Sequence, residues 1–287
     1  MILPPQPEPT LADWGFSVTT GIAAITSDRF IVHASDTRMS FSGDFSAEGV
    51  IKVEGFQRDW AVLTAGSDIS HAPFVIRKAR QMFWKRKTLS LEEAKRGFKQ
   101  AYQEELREKI TDTLLSKFDM TLEDFKKKGR KELEPSLFQA LSFGIKDMKL
   151  GCRFLVYGFD EIKQPHLFEV GDGGQIESRD KPGFWAIGNG ARSAISMLAY
   201  LQHSAETTPM RAAVYNVLAA KYISEGASDV GPNTFFFIKK YGSNIYSSYG
   251  SSIEPKIRKL WEEKGRPSVP QEAMQIVDDA NLRFHED

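Results

Sequence analysis

With 287 residues, 41% hydrophobic and 26% charged, the chain suits one large domain or two ordinary ones and is too apolar for wholesale disorder. Its 38 Lys+Arg and 38 Asp+Glu give a formal net charge of zero, which removes a global electrostatic case for nucleic acid or an anionic membrane as partner. The single cysteine, Cys152, excludes an intrachain disulfide framework and any zinc site built from several cysteines; the five histidines lack ligand spacing, so no metal or cofactor is expected.

In chain order, residues 1–15 hold four prolines and read as an extended or disordered tail without the features of a signal peptide. No apolar run approaches the ~20 residues of a membrane span, so a cytoplasmic address is expected. The β signal begins at Phe16. FSVTTGIAAIT and RFIVHAS around a Ser27–Asp28 turn, then VIKVEGF and DWAVLTAG, predict two hairpins. After Gly66 the period changes, and a helix capped by Ser67 or Asp68 is expected through Phe74, Val75 and Met82. Ser90-Leu-Glu-Glu93 is a capping box that opens a long charged helix to about Leu115. Thr121-Leu-Glu-Asp124 looks like a further start inside a Lys-rich insertion, 116–136, read as a helical turn or loop ending near Pro135.

Strands return at RFLVYGFD, HLFEVGDGGQIES and FWAIG, with GDGG as a hairpin turn. A helix follows over about 189–203. Another starts with Thr208 as N-cap and Pro209 as its first residue, and its Met210, Val214, Val217, Leu218 and Tyr222 share one face. NTFFFIKK and NIYSSYG close the strand pattern. A helix from about Ser252 to Lys264 and an acidic tail end it. The division is a tail (1–15), one domain (16–250) and a C-terminal helical extension (251–287). Antiparallel strand runs and paired helices predict α+β architecture, a four-layer αββα sandwich rather than a parallel βαβ sheet.

Several segments, in order, resemble the proteasome β-subunit family of N-terminal-nucleophile hydrolases. Thr19-Thr20 opens the first strand as that family's Thr-Thr does. Asp36-Thr37-Arg38 looks like its A-x-D-x-R segment. Lys52 follows Arg38 by fourteen residues, and Gly66, in Thr64-Ala65-Gly66-Ser67, follows Lys52 by fourteen. FLVYGFD is similar to the family's L-x-x-G-x-D strand, and AIGNGARSA to its A-x-G-S-G segment. The likeness runs from about residue 17 to 245.

The resemblance implies a threonine peptidase. A threonine hydroxyl is a poor nucleophile unless activated, and in this family a freed α-amine on the same residue is the base. Thr19 would be the nucleophile, Lys52 the activator, Asp36 the acid that orients the lysine, and Gly66 the oxyanion donor. Thr19 assumes one extra residue in the Asp28–His33 stretch; an ungapped count back from Asp36 gives Thr20. Eighteen residues lie upstream of Thr19, and Val18 stands where the family has glycine. Asn189 stands at a family serine, Glu225 about where it has an aspartate, and Ser228 at the nearby serine. Met39, Val50 and Thr64 align with pocket positions and imply a neutral, mid-sized pocket for apolar side chains. The expected partners are a peptide or unfolded protein substrate and further copies of the chain, in a homo-oligomeric ring or helical stack. A non-catalytic subunit that keeps its N-terminal extension, or an amidohydrolase of the same fold, would share much of this pattern.

Three features also have plainer readings. Cys152 is expected as a small buried hydrophobe. GDGG lacks the Lys-Ser/Thr of a phosphate loop. Residues 76–100 carry nine basic and two acidic side chains, a local net of +7. That region reads as a solvated helical face, or as a contact for an acidic surface of another subunit.

Overall fold

The computed structural model describes residues 17–18, 20–40, 46–49, 51–242, 250–265, 271 and 274. Of the strand expected at NIYSSYG, residues 244–249 lie outside these residues, as does the tail over 1–15, and Gly250 opens a helix instead. Two antiparallel sheets form the centre. The smaller contains β2 (Gly21–Ile25), β3 (Ile31–Asp36), β11 (Phe184–Ile187) and β12 (Thr234–Lys239), in the order β11-β2-β3-β12. The larger contains β1 (Ser17–Val18), β4 (Met39–Ser40), β5 (Ser46–Ala47), β6 (Val53–Gln57), β7 (Trp60–Gly66), β8 (Cys152–Phe159), β9 (Pro165–Val170) and β10 (Ile176–Ser178). Its path is β10-β9-β8-β7-β1-β4-β5, with β6 also paired to β7.

Both expected hairpins form, β2–β3 and β6–β7. In the first, Ile25 pairs with Ile31, and Thr26 closes the turn by accepting Phe30 N–H on Oγ1 at 2.8 Å. Arg29 takes φ 60° in that turn.

The helices are α1 (Ala72–Phe83), α2 (Leu91–Ile110), the one-turn α3 (Leu122–Asp124) and α4 (Arg130–Glu132), α5 (Pro135–Asp147), α6 (Ala191–Tyr200), α7 (Met210–Ser224) and α8 (Gly250–Leu260). Period-two alternation divides the core. Ile22, Ala24, Val32 and Ala34 pack with Leu198, Val217 and Leu218 of α6 and α7. Their neighbours Ala23, Ile25 and Ile31 face the other sheet through Ala61, Leu63, Leu155 and Tyr157. The far side of the larger sheet, through Val62, Phe154 and Phe168, packs on Val75, Ala79, Phe98 and Tyr102 of α1 and α2. Cys152 is fully buried there, and burial pushes its thiol up to about 12.

Three helix expectations need correction. α1 begins at Ala72, not beside Ser67 or Asp68, because the Asp68 carboxylate is spent on a turn and accepts the N–H and hydroxyl of Ser70. α7 begins at Met210. The Thr208 hydroxyl accepts Ser204 N–H at 2.9 Å, and Asp28 of the β2–β3 turn accepts Met210 N–H at 2.9 Å. Pro135 starts α5 instead of ending the insertion, as its locked φ and missing donor suit a first helical turn. Around it, Ile110, Leu115, Met120, Phe125 and Leu141 give the insertion its own small core. The Ser90 and Thr121 capping boxes both form.

Candidate active site

Asp36 ends β3 with its side chain fully buried, and four donors among the described residues converge on it. Oδ1 accepts Lys52 Nζ at 2.7 Å and Thr20 N–H at 2.9 Å; Oδ2 accepts the N–H groups of Arg38 at 3.2 Å and Gly231 at 3.3 Å. A carboxylate without water needs such partners, because burying an unpaired charge is costly. Lys52 reaches it from just before β6, and Thr64 N–H of β7 donates to the Lys52 carbonyl, which fixes the lysine backbone against the larger sheet. Burial holds the Lys52 ammonium below the usual lysine range; repulsion from Lys221 adds to this, while Asp36 opposes it.

Lys221, near the end of α7, is a second buried lysine beside this pair. Its Nζ donates to Glu225 Oε1 at 2.7 Å and to the Gly231 carbonyl at 2.9 Å. Burial lowers its pKa as well, opposed by Glu225 and Asp36. Glu225 is in turn gripped by both terminal nitrogens of Arg258 on α8, at 2.9 and 3.0 Å.

Two glycines fix how closely the chain packs here. A Cβ on Gly66 would lie 2.1 Å from the Gly151 carbonyl oxygen, where Ser67 N–H also donates, so only glycine fits at the end of β7. A Cβ on Gly190 would lie 2.3 Å from Thr20 Oγ1 and 2.7 Å from Ser224 Cβ. The fully buried Thr20 side chain therefore packs beneath the start of α6 and the end of α7.

Beside these residues runs a slot. β1 lies between β4 and β7, with Val18 paired to both Met39 and Gly66. A cleft of about 800 Å³ opens from Gly66, Ser67 and Asn189 toward Arg153, Glu169 and Trp185. Its wall is ordered by the buried Glu169, which accepts the Trp185 indole at 2.8 Å and pairs with Arg153 and Arg179.

The structure thus brings Asp36, Lys52, Glu225 and Thr20 into one network, with Gly66 and Asn189 on the adjoining cleft. Thr64 is half-buried on β7 beside Lys52. Met39 lies on β4 and pairs with Val18 and Ala47. Ser228 is exposed in the turn after α7. Thr19 and Val50 lie outside the described residues. Sequence reasoning missed Lys221, Ser224, Gly231 and Arg258. Only the first leaves a trace, a lysine in an apolar helix four residues before a glutamate.

No family model matches the chain, and no curated protein matches it. Among solved structures it is similar to Anbu (ancestral beta-subunit) from Yersinia bercovieri, with a TM-score of 0.60 over 93% of this chain and 99% of that one at 16% identity. At that identity the likeness shows a shared fold.

Proposed function

We propose that the chain is a threonine peptidase built on a four-layer αββα frame, with Thr19 as nucleophile after cleavage of the Val18–Thr19 bond. The observation that carries this is the buried Lys52–Asp36 pair at the start of β2, beside a strand slot that ends on Gly66. Thr20 is less suited to the role. Its hydroxyl is buried against α6 and α7, and its N–H and C=O are both bonded to Asp36.

In this reading the Thr19 α-amine takes the Oγ1 proton as the hydroxyl attacks the scissile carbonyl. Lys52, held by Asp36, supplies positive potential that favours the alkoxide. The oxyanion is received by the Gly66 N–H. Collapse breaks the C–N bond, the amine passes its proton to the leaving nitrogen, and water then hydrolyses the ester. An extended substrate would take the slot that Ser17–Val18 fills, bonding to β4 and β7 by strand addition. Met39, Val50 and Thr64 favour cleavage after apolar residues, and Asn189, Glu225 and Ser228 complete the polar surround. A cytoplasmic homo-oligomer, ring or helical stack, acting on peptide or unfolded protein, is the accompanying reading; the similar structure's description as a beta-subunit supports only that the chain assembles.

A second reading, a non-catalytic structural subunit, is favoured by one observation: Ser17–Val18, just before Thr19, form a strand inside the slot. Turnover of a fluorogenic apolar tripeptide amide separates the two. Thr19→Ala is expected to lose at least about 10³-fold in kcat, within the range for losing a nucleophile, and Thr20→Val to retain most activity. Loss in Thr20→Val alone would move the nucleophile; no turnover by the processed parent would support the structural subunit.

A further inference from the structure

Lys221 takes no part in the Asp36–Lys52 contact itself, yet it is fully buried and its ammonium is fixed at two points. One of those points is the carbonyl of Gly231, whose own N–H donates to Asp36 Oδ2 at 3.3 Å. Gly231 can sit there because it lacks a Cβ, which would lie 2.8 Å from Arg38 Cβ and 3.1 Å from Glu48. The other point is Glu225, and Glu225 is held from outside the domain's central strands and helices. Arg258 of α8 grips it with two nitrogens, donates to the Pro232 carbonyl at 2.7 Å and Thr234 Oγ1 at 3.1 Å, pairs with Glu254, and lies 4.2 Å over the Tyr222 ring. A guanidinium makes this pattern because its donors are planar and forked; a lysine ammonium cannot reproduce it.

We infer that Glu225 and Arg258 are positioning residues: α8 clamps Glu225, Glu225 fixes Lys221, and Lys221 holds Gly231 so that its N–H orients the Asp36 carboxylate toward Lys52. The C-terminal extension is then part of the support of the active site. This rests on the reading of Asp36 and Lys52 as the catalytic pair, so its test has one arm that needs no turnover.

The first arm compares processed Glu225→Gln and Arg258→Lys with Ile257→Ala, which loosens the apolar packing of α8 without touching the polar chain. The two network variants are expected to lose about 10- to 100-fold in kcat, the cost of a misplaced catalytic group, with KM nearly unchanged. Ile257→Ala is expected to keep kcat despite a comparable drop in melting temperature. The second arm is a melting-temperature cycle of Glu225→Gln with Lys52→Met. The double variant is expected to lose less than the sum of the two single losses. Equal kcat losses in Glu225→Gln, Arg258→Lys and Ile257→Ala, or strict additivity in the cycle, would overturn the inference. If the parent turns over nothing, the peptidase reading fails and the cycle alone decides whether α8 is coupled to Asp36–Lys52.

Discussion

Lys52 and Asp36 stabilise the native state only as a pair. Removing the ammonium leaves a fully buried carboxylate that has lost the cation bonded to its Oδ1. Lys52→Met is therefore expected to lower stability by about 3–5 kcal/mol, read as a lower urea midpoint at unchanged m-value, besides abolishing hydrolysis. A parent-like midpoint would mean that water or another cation replaces the lysine. Gly66→Ala is a different failure. A Cβ 2.1 Å from a backbone oxygen must push β7 away from Gly151, so soluble yield and turnover should fall together. Asp36, Lys52 and Gly66 were singled out through a family resemblance, and the first two meet in the fold. Lys221 and Arg258 were not. A single lysine in a helix normally reads as solvated, and its partner Glu225 meets Arg258 only because the chain returns 33 residues later.

At the scale of elements, local signals were read where the chemistry is local. The Ser90 capping box forms as its sequence predicts, and Ser90→Ala should cost about 1 kcal/mol, measured by chemical unfolding. The start of α7 was misread because its acceptor, Asp28, comes from a turn 182 residues away. His166 on β9 forms a pH-sensitive clasp with the turn before that strand and the segment after β10. His166 bonds Asp180 at 2.9 Å and Asp160 at 3.2 Å, and these carboxylates hold its pKa above the ordinary histidine value against the opposing effect of burial. A raised folded pKa contributes stability that is fully present below about 6.5 and is lost as pH rises through the folded value. Melting curves of the parent and His166→Gln should therefore differ more at pH 5.5 than at pH 8.5. The reverse order would exclude a charged imidazolium in the clasp.

For the whole molecule, the zero net charge conceals local separation that the fold partly cancels. Within the basic stretch, Lys78 pairs with Glu105 and Glu108, Arg80 with Glu54, Arg86 with Glu93 and Lys95 with Glu92. Much of that charge is met inside the chain, which weakens the sequence case for an acidic partner surface. The two hairpins and the order of strands and helices were legible because alternation and period change mark them. The insertion's core was not, since its helices are short and lysine-rich. The central claim, that residues upstream of Thr19 are removed to free a nucleophilic amine, is tested most directly by the intact mass of the purified protein. The account predicts a chain that begins at Thr19 and gains one adduct from a threonine-directed electrophile. A chain that keeps Met1 or Ile2 and gains none would contradict it.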